Sequence, residues 1–284
     1  MPHDIGYVDI GYVDNTSQLA HYAMLEQIRD FAADNGWAVL RYDTAPDNRE
    51  LILKGAGYSG EEEIFVGFRT YQNAAADYYN LCAAGFTGYV PGNPFDSQPG
   101  AMLSGIPCHN QRVDYWLTLN PQRIALGMKV GTPVYELGYA GKYLPYARPS
   151  QYPYPLAVGG MLNGTPATRF SDSGHSMPFR GGANMRALFN DGVWHQPDCW
   201  PYANPWLAGA TTQERDSNDN YALNTVVLSS STLGDLGELD GVAHITGFNN
   251  ATENTALIGG ETWVVLQDAW RTGFNDYVAL RMDS

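Results

Sequence analysis

The stretch that decides the fold is Asp114-Tyr115-Trp116-Leu117-Thr118-Leu119, then Asn120-Pro121-Gln122, then Arg123-Ile124-Ala125-Leu126-Gly127-Met128-Lys129-Val130. Apolar side chains alternate on both sides of a turn-forming tripeptide, which is the pattern of an antiparallel hairpin. Segment 134–139 is expected to continue that sheet. Toward the N-terminus, segments 37–42, 50–54 and 63–70 have strand character and are separated by Pro46-Asp47-Asn48 and by the glycine-bearing run 55–60. They predict an antiparallel meander. Toward the C-terminus, 221–230, 242–246, 262–267 and 277–282 read as strands again.

A single segment carries helical periodicity. Over 16–35, Met24, Leu25, Ile28, Phe31 and Ala32 fall on one face, Thr16 or Ser17 can cap the start, and Asn35-Gly36 supplies the stop. Leu25, Ile28 and Phe31 are expected to pack on a sheet. Ahead of this helix, Ile5-Gly6-Tyr7-Val8-Asp9 is repeated at once as Ile10-Gly11-Tyr12-Val13-Asp14. The copy is too short for a solenoid unit and predicts an extended arm that adds little to the monomer's core. Such an arm is either mobile or docked on a partner, with Tyr7 and Tyr12 as contact residues.

Between residues 144 and 206 the pattern dissolves into Pro, Gly, Tyr and Asn, as in Leu144-Pro145-Tyr146 and Gln151-Tyr152-Pro153-Tyr154-Pro155. Extended Pro-Tyr backbone offers aromatic faces, so the segment reads either as a functional insertion or as an ordered cover over the sheet. The expected fold is mainly β (α+β), with antiparallel sheets and one N-terminal helix. Its segments are an arm (1–15), a helix plus β module (16–143), the insertion (144–206) and a C-terminal β module (207–284). Glu63-Ile64-Phe65-Val66-Gly67-Phe68 with Asp77-Tyr78-Tyr79-Asn80-Leu81 resembles Glu261-Thr262-Trp263-Val264-Val265-Leu266 with Asp276-Tyr277-Val278-Ala279-Leu280. Each reads as a hairpin, and duplication or coincidence accounts for the likeness equally well.

The chain has 284 residues, 44% hydrophobic and 13% aromatic, enough to build a core without disulfides or metal. Its formal net charge of −14 would repel a phosphate backbone and an anionic membrane alike, so neither nucleic acid nor membrane is an expected partner. The opening residues have no basic stretch and no apolar run, so we expect no signal peptide or lipid anchor. Cys82, Cys108 and Cys199 are odd in number and far apart, which predicts reduced, buried thiols and folding in a cytoplasm.

Motifs for chemistry are weak. Trp194-His195-Gln196-Pro197-Asp198-Cys199-Trp200 and Cys108-His109 contain metal-ligating types without metal-site spacing, and read better as packing residues. Ser171-Asp172-Ser173-Gly174-His175-Ser176 holds the types of a hydrolytic triad without a nucleophile-elbow spacing. The chain has no phosphate-binding glycine motif. A glycosidase needs only two carboxylates and aromatic platforms, and any pair could be nominated. No cofactor, catalytic residue or metal ligand is therefore expected.

The C-terminal run Leu236-Gly237-Glu238-Leu239-Asp240-Gly241-Val242, Gly247-Phe248, Glu253-Asn254, Gly259-Gly260-Glu261-Thr262-Trp263-Val264-Val265 and Asp276-Tyr277-Val278-Ala279-Leu280-Arg281 resembles virion structural proteins of tailed bacteriophages. So do Phe65-Val66-Gly67-Phe68-Arg69-Thr70, Gly131-Thr132, Tyr143-Leu144-Pro145-Tyr146 and the run Tyr152-Pro153-Tyr154-Pro155-Leu156-Ala157-Val158-Gly159-Gly160. The resemblance spans the chain from about Gln18 onward. It implies a non-enzymatic tail, baseplate or neck component located in the virion, assembled in the host cytoplasm, and bound to copies of itself and to other phage virion proteins. A glycan-binding or glycan-cleaving virion protein is the alternative. Tyr146, Tyr152, Tyr154 and Trp206 join Tyr7 and Tyr12 as expected partner contacts, since interfaces favour such aromatics.

Overall fold

A computed structural model of the chain describes residues 6–108, 110–131, 134–147, 155–162, 167, 169, 175–204, 215, 220–269 and 273–282. The chain opens with strand β1 (Tyr7–Val13) and helix α1 (Ala20–Asp34). A meander of β2 (Ala38–Asp43), β3 (Glu50–Gly55), β4 (Ile64–Asn73), β5 (Tyr78–Phe86) and β6 (Met102–Cys108) follows. Next come β7 (Val113–Asn120), β8 (Arg123–Gly131), β9 (Val134–Lys142), β10 (Leu144–Pro145), β11 (Leu156–Gly159), β12 (Met185–Leu188) and β13 (Trp194–His195). The last strands are β14 (Asp198–Trp200), β15 (Asn224–Ser230), β16 (Gly234–His244), β17 (Thr255–Ile258), β18 (Glu261–Gln267) and β19 (Tyr277–Arg281). Strand takes 52% and helix 10%, so the expected mainly β class is the class observed.

These strands form three antiparallel sheets. The central one has the order β1-β7-β8-β9-β11-β12-β13, and the meander β2-β3-β4-β5-β6 makes a second. The third has the order β14-β15-β16-β19-β18-β17, with β10 paired to β16. Alternation along the central strands explains the layering. Tyr115, Leu117, Leu119, Ile124, Leu126, Met128 and Val158 share one core with α1 and with Leu51, Val66, Phe68 and Leu81 of the meander. Trp116, Ala125, Tyr135, Leu137, Tyr139 and Ala157 point the other way, into a second core with Val226, Leu228, Val242, Val264, Leu266 and Leu280 of the third sheet. The middle of the central sheet is thus buried on both faces, which is why side chains of both alternating sets are apolar over 124–128.

The helix buries Ala20, Met24, Leu25, Ile28 and Ala32 against this first core, with Phe31 packed at its margin. It starts four residues later than its sequence suggests. Thr16 does not cap it, because its hydroxyl and its backbone N–H both donate to Asp14 Oδ1, at 2.6 and 3.0 Å. Leu19 occupies the N-cap with no side-chain bond to the helix. At the other end the stop is as expected, with Gly36 at φ 89°.

The first five-residue copy belongs in part to β1, and this corrects the reading of a free or partner-docked arm. Its strand pairs over seven residues with β7 of the same chain, from Tyr7↔Leu119 to Val13↔Val113. Segment 144–206 likewise supplies sheet strands: β11, β12 and β13 extend the central sheet, while β10 and β14 join the third. Both similar hairpins form, β4 with β5 and β18 with β19, in different sheets.

Outer faces are covered too. Phe95, from a short 3-10 turn, stands edge-on to Phe86 over the meander, and Gln98 ties this covering loop by bonds to Val90 and Asn93. On the third sheet, Ile245, Trp263 and Val265 lie beneath Tyr221, Leu223, Ile258 and Tyr277. Cys82, Cys108 and Cys199 are buried and form no disulfide, and burial pushes the Cys82 thiol up to about 12.

Candidate functional site

The edge strand β1 is where sequence-nominated residues meet open surface. A repeat of five is odd, and a strand alternates with period two, so each residue type of the copy is delivered once to each face. Tyr7, Asp9, Gly11 and Val13 share a face with Leu119, Leu117, Tyr115 and Val113, whereas Val8, Ile10 and Tyr12 share one with Thr118, Trp116 and Asp114. One valine therefore serves each core: Val13 packs on the first and Val8 on the second.

The face toward the helix is chemically satisfied. Asp9 accepts from Gln27 Nε2 at 2.6 Å and from the Tyr115 hydroxyl at 2.9 Å. Burial and then Asp9 itself raise the Tyr115 phenol above its ordinary value, which keeps that donor protonated. Tyr115 reaches Asp9 by lying across Gly11, where a Cβ would come within 2.8 Å of its hydroxyl oxygen. The opposite face is open. Ile10 is 59% exposed and Tyr12 56%, while Tyr7, on the helix side at the strand's start, is 37% exposed. The Arg112 guanidinium stands 3.9 Å over the Tyr12 ring while its Nη2 pairs with Asp114 at 2.7 Å. This is an apolar and aromatic strip with one fixed cation, suited to binding protein rather than to chemistry.

Other nominated residues lie elsewhere. Tyr146 is 54% exposed beside the β10–β16 pairing, with Glu238 and Asp235 near its hydroxyl, and it sits on the third sheet rather than with Tyr7 and Tyr12. Tyr152, Tyr154 and Trp206 are outside the described residues. Trp200, which the sequence did not nominate as a contact, is exposed on β14, and the row Trp200↔Val227↔Glu238 runs from it across the third sheet.

Buried chemistry concentrates where the central and third sheets meet. Glu136 is fully buried on β9, and His175 Nε2 stands 3.3 Å from its Oε1. Burial pushes the Glu136 carboxyl up to about 7, with His175 opposing and Asp268 reinforcing the shift. Asp268 accepts from Ser176 Oγ at 3.1 Å, from the Met177 N–H at 3.0 Å and from Arg180 Nε at 2.9 Å. Arg180 also binds Asp276. His175 and Ser176 thus engage different carboxylates, and the group works as an anchor for residues 175–180. A second anchor joins the hairpin turn to the third sheet. Asp240 accepts from Asn120 Nδ2 at 2.5 Å, Gln122 Nε2 at 3.2 Å and Arg281 Nη2 at 3.3 Å, with Arg123 Nε at 3.7 Å. Gly241 makes room for that arginine: its φ is +70°, and a Cβ would lie 2.2 Å from Arg123 Nη2.

An open cleft of about 540 Å³ lies at the start of α1, lined by Leu19, Asp47, Asn48, Gln72, Asn73, Ala74 and Tyr79. Among the described residues no group of three or more His, Cys, Asp or Glu side chains is placed to hold a metal ion. His195 pairs with Asp191 at 2.9 Å, and Cys199 is a core residue. No helix among the described residues is long and apolar enough to cross a membrane. Compared with protein-family models and with curated proteins, the chain matches none.

Proposed function

We propose that this chain is a non-enzymatic structural component of a tailed-bacteriophage virion, in the tail, baseplate or neck, and that it acts by binding its own copies and neighbouring virion proteins. The observation that carries this reading is the exposed strip of β1, Ile10 and Tyr12 with Arg112 fixed over the aromatic ring. Exposed apolar groups along a sheet edge mark association sites. The resemblance of 236–281 and of the interior segments to phage structural proteins supplies the setting. The buried carboxylates are engaged in anchoring: Glu136 is sealed, and Asp268 and Asp240 each accept three donors, Ser176, Met177 and Arg180 for one and Asn120, Gln122 and Arg281 for the other.

Mass spectrometry of purified particles tests the reading. The protein is expected in intact virions, and disruption of its gene is expected to leave incomplete particles. Its absence from virions would refute the assignment.

One observation favours the glycan-binding alternative. Tyr146 is exposed with Glu238 near its hydroxyl, and exposed Trp200 lies in the same cross-strand row as Glu238 with Val227 between them, an aromatic and carboxylate combination suited to sugar rings. Binding of host-surface oligosaccharide that disappears in Trp200→Ala and Tyr146→Ala would establish that reading instead.

A further inference from the structure

The three sheets have six outer strands, and five are protected. The edge of β2 carries Arg41 and Asp43, has a register shift, and lies under a loop held by Tyr89 and by Arg41 bonds to Pro91 and Asn93. Edge β6 contains Pro107 and is bridged through Gly105 to Leu162. Edges β13, β14 and β17 are two, three and four residues long. By contrast β1 runs for seven residues in unbroken register with β7 and has no proline and no basic residue. Among the described residues nothing pairs with its outer side. Short length, exposed charge, proline and bulges are the usual devices against edge-to-edge pairing; the one charge of β1, Asp9, is turned to the helix side and taken up by Gln27 and Tyr115, and the other devices are missing.

The sequence of β1 is also complementary to itself. In an antiparallel pair related by a two-fold axis normal to the sheet, facing residues share a face, so their numbers must sum to an even value. Centred on Ile10, the pair sets Ile10 against Ile10, Val8 against Tyr12, Tyr7 against Val13 and Asp9 against Gly11. Each aromatic ring meets a β-branched side chain, the favoured cross-strand combination, and no acid faces an acid. Centring on Asp9 would oppose two aspartates, and centring on Gly11 would leave Asp9 against Val13. The five-residue copy produces this match, because it places a Tyr-Val pair on each side of Ile10.

We propose that β1 pairs antiparallel with β1 of a second copy of this chain, centred on Ile10, joining two central sheets into one continuous sheet. This rests on the assembly reading above and names its first partner. Chains of net charge −14 repel, so the pairing should strengthen as salt rises.

The test uses the full chain. Light scattering after size exclusion should find a dimer, and Ile10→Lys should weaken association at least about tenfold with an unchanged melting temperature at dilutions where both proteins are monomeric, since the side chain is exposed in the monomer. Ile10→Cys should cross-link to its mate under mild oxidation, because facing Cα atoms lie about 5 Å apart. Tyr7→Cys should not, because the two residues would be about 20 Å apart along the strand. The native thiols, all buried, do not confuse this readout. A monomeric wild type would refute the second-copy partner while leaving the assembly reading to the virion analysis. A dimer in which Ile10→Cys fails to cross-link would show that the copies meet elsewhere and would overturn the pairing. If Ile10→Lys fails to fold, the two cysteine variants decide alone.

Discussion

Replacing His21 by phenylalanine should make the protein more resistant to acid. His21 is fully buried on the first turn of α1, its ring 4.4 Å from Tyr22 and 5.7 Å from Tyr79, centroid to centroid. Neither ring nitrogen has a hydrogen-bond partner among the described residues. Burial, and then the Arg49 cation nearby, hold the imidazole down from 6.5 to about 3. At pH 7 the folded and unfolded chains both carry it neutral, so it contributes no pH dependence there. Below 6.5 only the unfolded chain takes up the proton, and stability is lost as pH falls toward 3. At pH 4 the unfolded state has gained about 2.5 pH units of protonation that the folded state refuses, or about 3 kcal/mol. At pH 5.5 the same reasoning gives about 1 kcal/mol. Phenylalanine fills the aromatic slot and takes no proton, so its unfolding free energy should fall less by those amounts. His244, drawn down to about 4 by burial and then Arg180, titrates in both proteins and cancels from the difference. Denaturant unfolding followed by tryptophan fluorescence at pH 7, 5.5 and 4 measures the effect. Parallel pH curves for the two proteins would refute the argument.

Glu136→Gln should act in the opposite direction along the pH scale. The folded carboxyl is pushed up to about 7, so its protonated form favours folding below the unfolded value of 4.5 and that advantage is lost as pH rises through 7. Glutamine should therefore stabilise by about 2–3 kcal/mol at pH 8 and by nothing near pH 4, as denaturant titration at the two pH values would show. Gly241→Ala should cost about 2–4 kcal/mol in the same assay, because the left-handed backbone and Arg123 both resist a Cβ. Deleting residues 1–13 removes β1 with Val8 and Val13, and should lower stability by about 3 kcal/mol or more rather than leave it unchanged.

Where a segment's own chemistry matched its final surroundings, the sequence was readable. Leu25, Ile28 and Ala32 repeat with the turn of a helix and are buried together, and Asn120-Pro121-Gln122 forms the turn between β7 and β8. Strand β6 escaped notice because Met102-Leu103-Ser104-Gly105-Ile106-Pro107-Cys108 has neither alternation nor strand composition. It is a strand because β5 offers it a partner. The same holds for Leu156–Gly159 and Met185–Leu188, four residues each, which take strand form by pairing in the central sheet. The buried anchors were illegible for another reason. Asn120 meets Asp240 across 120 positions and Met177 meets Asp268 across 91, and no local spacing marks such pairs. The exposure of Tyr12 is a property of the assembled layers, which no local spacing marks.

The tandem copy has a consequence for how this chain can tolerate change in length. Removing a single residue from β1 after Val8 would turn every side chain before the lesion onto the wrong face, exchanging Val8 for Tyr7 in the second core. Removing five is milder at the position of Asp9, but His3 and Pro2 would then take the places of Val8 and Tyr7. Loss of residues 5–9 would leave Ile10 to Val13 where they are and bring Asp4 to the place of Asp9, an acid replacing an acid before Gln27 and Tyr115. A fifteen-nucleotide in-frame loss would therefore keep the chemistry of positions 9–13 at the cost of the Val8 contact with the second core, whereas loss of one residue would change every position before it.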